Sequence, residues 1–159
     1  MIHYCTALSN DESGDMLRAN ARKGRPLVDG FDYVAWIGVE PIESPLRRFP
    51  QDRQLLVRFD DVTAPQDGPA ARWYADGSKV DLFTADHAAE IRAYCDALHA
   101  DARPWALLVH CTAGVSRSTA TALWVREHYR VTLPELRFTH WRPNATVARI
   151  LRETPTTTA

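Results

Sequence analysis

Cysteine is scarce in this chain of 159 residues: only Cys5, Cys95 and Cys111 occur, and no two form a Cys-x-x-Cys pair. That spacing speaks against a disulfide framework and suits a reducing cytosol, so a cytoplasmic location is expected. No His/Asp cluster shows metal-ligand spacing, and neither a metal nor another cofactor is expected. Charge is not biased to either sign: 19 basic against 20 acidic residues leave a net charge of −1. This argues against nucleic acid or an anionic membrane surface as the main partner, while local basic patches stay open. No apolar stretch approaches transmembrane length. The opening Met1-Ile2-His3-Tyr4-Cys5-Thr6-Ala7-Leu8 runs straight into Ser9-Asn10-Asp11-Glu12. It lacks the charged start and longer apolar run of a signal peptide, so no leader is expected. Internal repeats and a low-complexity core are also missing. Residues 1–153 are expected to form one domain, with 154–159 as a flexible tail.

What is present is an alternation of strand and helix patterns. Strands are predicted over residues 2–8, 33–39 and 54–59, and helices over residues 15–23, from Thr84 or Asp86 onward, 133–141 and 144–151. Pro143 separates the last two helices. Pro65, Gly68, Pro69 and Gly77 mark residues 60–79 as a long loop. Alternating elements place the chain in the α/β class, with a central sheet covered on both faces.

The segment of highest chemical content is His110-Cys111-Thr112-Ala113-Gly114-Val115-Ser116-Arg117-Ser118, which follows the apolar run Trp105-Ala106-Leu107-Leu108-Val109 and leads into a helical pattern over residues 118–129. A strand running through a short turn into a helix aims the helix's free N–H groups at the turn. Gly114 allows backbone conformations and close approach that a side chain would block, so the amides of Thr112, Ala113, Gly114, Val115, Ser116 and Arg117 can converge on a tetrahedral anion. Arg117 adds a planar fork of donors that matches two phosphate oxygens. The same field favours the thiolate at Cys111 and makes it a nucleophile by position. Ser118 can hydrogen-bond the sulfur and help it leave. His110 is expected to brace the loop rather than touch substrate. Cys5 and Cys95 are expected to be buried packing residues, with a resolving role toward oxidised Cys111 as the alternative.

His-Cys, five residues, Arg and then Ser or Thr is the signature of the cysteine-dependent protein tyrosine phosphatases, and residues 105–130 resemble that superfamily. Residues 114–118 look most like its dual-specificity branch, in a bacterial form. A chance match in a chain this long has odds on the order of one in ten thousand or lower. The likeness extends more loosely over residues 33–152 and does not reach the first thirty. It implies a mostly parallel sheet of four or five strands flanked by helices. It also implies hydrolysis of phosphorylated proteins or small phosphomonoesters through a phosphocysteine.

The family also uses a carboxylic acid on a movable loop to protonate the departing oxygen. The candidates are Asp60, Asp61, Asp76 and Asp81. In the dual-specificity branch the acid follows the strand beside the signature strand, which favours Asp61, with Asp60 next. The family's acid usually lies closer in sequence to the cysteine, so Asp61 requires residues 63–80 to be an insertion; otherwise Asp81 replaces it. The plainer readings are a turn cap for Asp60 and a solvated residue for Asp81.

Arg47, Arg48 and Arg53 could select acidic substrates, though a solvated charged loop is the simpler account. Trp73 and Tyr74 could wall a slot for an aromatic phosphoester or merely staple their loop. Arg142-Pro143-Asn144 resembles a segment of bacterial relatives and reads as a helix break with Asn144 as N-cap, without a catalytic role. Two other functions stay open. One keeps the chemistry but acts on a phosphoinositide, nucleotide or RNA phosphate, against which the uncharged Thr112-Ala113 and Val115-Ser116 speak. The other is a silent phosphate-binding module, which the presence of Cys111 and Arg117 disfavours.

Overall fold

Odd- and even-numbered residues of the strands face opposite ways, as the two-residue period of extended chain requires. In the computed structural model, which describes residues 1–24, 26–39, 49–62, 80–131 and 141–155, the strands are β1 (Ile2–Ser9), β2 (Tyr33–Val39), β3 (Gln54–Val57) and β4 (Trp105–Cys111). They form one four-stranded sheet in the order β1-β4-β2-β3, every neighbouring pair parallel. Among the described residues four α-helices flank it: α1 (Asn10–Lys23), α2 (Ala85–Ala100), α3 (Arg117–Tyr129) and α4 (Ala145–Glu153). The result is a single α/β domain.

Cys5, Ala7, Ile37, Leu107, Val109 and Cys111 join the core on the side of α2, α3 and α4. Leu8, Val34, Trp36, Ala106 and Leu108 face the other way and pack against Met16 and Leu17 of α1. Each large aliphatic side chain buried this way contributes about 1.5–3 kcal/mol over leaving it in water. The central β4 is buried throughout. This alternation already sends His110 toward α1 and Cys111 toward α3.

Several boundaries differ from the sequence expectation. α1 begins at Asn10, not residue 15, because its start is set by a capping box: the Glu12 N–H donates to Ser9 Oγ (3.2 Å) and the Ser9 N–H to Glu12 Oε2 (2.7 Å). β3 stops at Val57, because its register on β2 ends at the Val39–Val57 pair. Phe59 lies beyond the strand yet is fully buried, its ring 4.6 Å from that of Phe83. β4 extends through His110 and Cys111, and α3 begins one residue early, at Arg117. Asn144 is the N-cap of α4, as read, and the helix runs to Glu153. Of the helix expected over 133–141, residues 133–140 lie outside the described residues, and Trp141 is not helical. Also outside are Arg47, Arg48, Trp73, Tyr74, Asp76, most of the 63–80 stretch and residues 156–159. No helix among the described residues is long and apolar enough to cross a membrane.

Candidate active site

The signature loop leaves the carboxyl edge of β4 between β1 and β2, where strand order departs from chain order and open α/β sheets form their binding crevice. Ser9 at the end of β1 stands level with Cys111. The loop's backbone is turned by donors from outside it. The Asn10 N–H donates to Thr112 O (3.3 Å), Thr119 Oγ1 to Gly114 O (3.2 Å), the Arg142 N–H to Val115 O (3.0 Å) and the Asn144 N–H to Ser116 O (3.2 Å). In a planar trans peptide the N–H points opposite to the C=O. Holding those four carbonyls outward therefore turns the amides of Ala113, Val115, Ser116 and Arg117 inward. None of the four donates to a protein acceptor among the described residues.

Gly114 makes the turn possible. Its φ is 73°, and a Cβ there would stand 2.6 Å from Ser9 N and 2.8 Å from Leu8 C. Both the left-handed backbone and the packing against β1 require glycine. The start of α3 is left open in a complementary way. Ser9, Thr84 and Asn144 cap their own helices through their side chains, whereas Ser116 makes no such bond. Its Oγ donates to Asp61 Oδ1 at 2.7 Å. The first amides and the positive end of α3 thus stay available to an anion.

Cys111 is almost fully buried, with Ser118 Oγ 3.1 Å from its Sγ and the Gly114 N–H donating to the sulfur at 3.3 Å. Arg117 donates from Nη1 to Phe59 O (2.9 Å) and from Nη2 to Thr112 Oγ1 (3.2 Å). Its Nε is buried without a hydrogen-bond partner, 4.0 Å from Asp61 Oδ2. A buried N–H without an acceptor is costly, and an anion in the loop would satisfy it.

The described aspartates separate by what they bind. Asp61 is half-exposed and accepts from Ser116 Oγ and from Asn144 Nδ2 (2.9 Å). Asp60 turns to Asp81: its carboxylate accepts the Asp81 N–H (2.8 Å), while its own N–H donates to Asp81 O (2.7 Å). That double link ties together the two ends of the intervening segment, next to the Phe59, Phe83 and His87 cluster. Asp60 and Asp81 thus bind each other, while Asp61 alone of the three is hydrogen-bonded to the signature loop.

His110 is fully buried on the α1 side, its Nδ1 2.8 Å from Asn10 Oδ1. An amide oxygen accepts, so Nδ1 carries the proton. Burial pushes the ring's pKa down to about 4, and it is neutral near pH 7. Gly38 makes room for it, since a Cβ there would meet His110 Nε2 at 2.8 Å. His110 and the Asn10 amide together tie α1 to the loop.

Sequence reasoning missed Asn10, Thr119, the Phe59 carbonyl and the side-chain amide of Asn144. The Ser9-x-x-Glu12 spacing could have placed Asn10 at a helix start, but nothing local shows that this helix meets the loop 100 residues later. Cys5 cannot act as a resolving cysteine: it pairs with Leu107, four residues or about 13 Å from the Ser9–Cys111 level, and a disulfide needs Cα atoms within about 7 Å. Cys5 and Cys95 are fully buried, which pushes both thiols up. Arg53 lies away from the loop, lining a cavity with Leu17, Arg18 and Phe31. Among the described residues no group of His, Cys, Asp or Glu could hold a metal ion. Comparisons with protein-family models, curated proteins and solved structures found no match.

Proposed function

We propose that this chain is a cysteine-dependent phosphatase that cleaves phosphotyrosine in proteins through a phosphocysteine intermediate, with phosphoserine and phosphothreonine left as further candidate substrates. The observation that carries this reading is the set of donors without protein acceptors in the Cys111 loop: four inward amides and the buried Arg117 Nε. In the first step Cys111 Sγ attacks phosphorus in line, the loop amides and Arg117 hold the non-bridging oxygens, and the departing oxygen takes a proton from Asp61. In the second, water attacks phosphorus, gives its proton to the Asp61 carboxylate, and the S–P bond breaks. Ser118 hydrogen-bonds the leaving sulfur, and phosphate is released. The Arg117 fork and the positive end of α3 supply the charge stabilisation, so the steps call for no metal or organic cofactor. We assign the protein to the cytoplasm on the strength of its three free cysteines.

The test is hydrolysis of para-nitrophenyl phosphate in EDTA across roughly pH 5–8, where a thiolate and a carboxylic acid shape the rate. The parent is expected to be active, Cys111→Ser silent, and Asp61→Asn slowed with its acid-dependent limb lost, with Asp60→Asn and Asp81→Asn retaining acid catalysis. A silent parent that still binds vanadate would instead identify a phosphate-binding module.

A further inference from the structure

We infer that Asn144 is a positioning residue that couples the anion cradle to the acid Asp61, an inference that rests on the phosphatase reading above. Asn144 is almost fully buried and bonded on every side. Its backbone N–H holds Ser116 O outward (3.2 Å), and its Oδ1 accepts the Val147 N–H (3.1 Å), capping α4. Only an oxygen can accept from that amide, so the orientation of the side chain is settled and Nδ2 faces the acid loop. There it donates to Asp61 Oδ1 at 2.9 Å, with Val62 O at 3.4 Å. Ser116, the residue whose carbonyl Asn144 holds, donates its hydroxyl to the same Asp61 oxygen.

Two donors on Oδ1 leave Oδ2 as the oxygen that carries the transferable proton, and Oδ2 is the one on the Arg117 side, 4.0 Å from its Nε. A carboxyl held at one oxygen and free at the other delivers its proton in a defined direction. The Arg142 amide holds Val115 O in the same way. The three-residue segment 142–144 therefore fixes both the amides that receive the phosphoryl group and the acid that serves the leaving oxygen. A helix cap alone does not explain asparagine here. Serine or aspartate caps equally well through an oxygen, and what asparagine adds is the nitrogen that points at Asp61.

The test compares kcat for phenyl phosphate, whose leaving group needs a proton, with kcat for para-nitrophenyl phosphate, whose leaving group needs it much less. Asn144→Ser keeps a capping oxygen and removes the Nδ2 donor. It is expected to fold as the parent does and to lose about tenfold or more on phenyl phosphate relative to the nitrophenyl ester, part of the 10²–10⁴-fold that general acid catalysis supplies. In the Asp61→Asn background the same substitution should leave the ratio of the two rates unchanged. Equal losses on both esters, or a change of ratio that persists in full without Asp61, would overturn the positioning role while leaving the phosphatase reading in place. An Asp61→Asn variant with the parent's ratio, or a parent inactive on both esters, would remove the acid reading and this inference with it.

Discussion

Acid should unfold this protein through His110 before most carboxylates are protonated. The ring is fully buried and its pKa is pushed down from the ordinary 6.5 to about 4 by desolvation. The unfolded chain therefore binds a proton in the window between these values that the folded chain refuses. Because the unfolded state holds more protons there, stability rises with pH across the window, and on acidification it is lost from about pH 6.5 down to about pH 4. At about 1.36 kcal/mol per unit, the interval amounts to about 3 kcal/mol, a large share of the 5–15 kcal/mol typical of a domain. His110→Asn removes the titration while keeping an amide donor where Nδ1 meets Asn10. Urea unfolding between about pH 7 and pH 4 should show the parent losing about 3 kcal/mol more than the variant. The variant will start lower because it leaves a cavity, so the comparison is of slopes. Parallel loss in both proteins would refute the assignment of a buried, neutral imidazole.

Gly114→Ala combines a left-handed residue with a clash against backbone at Ser9 and Leu8 and should cost about 2–5 kcal/mol; urea unfolding within about 0.5 kcal/mol of the parent would show that the loop has another shape. Ser118→Ala removes the hydroxyl 3.1 Å from Cys111 Sγ, and stopped-flow assays should show a nitrophenol burst followed by turnover slowed about tenfold to a hundredfold, the worth of one hydrogen bond to a charged group. Slowing of the burst itself by the same factor would place Ser118 in the attack rather than in release of the sulfur.

The residues by themselves determined the α/β class, because alternating periods of two and about 3.6 are local properties of the chain. They also marked residues 110–118 as a candidate anion loop, since strand, loop and helix start are contiguous and Gly114, Arg117 and the helix end act over a few ångströms. Helix starts were less legible where capping replaced apolar periodicity, as at Ser9. Only the tertiary structure decided that α1 and the 142–144 segment hold the loop's carbonyls outward, and that Asp60 turns to Asp81 while Asp61 turns to Ser116 and Asn144. The partners of the two aspartates lie 21 to 83 residues away from them in sequence. Two adjacent aspartates have the same chemistry, and what distinguishes them is which donors the fold carries to each.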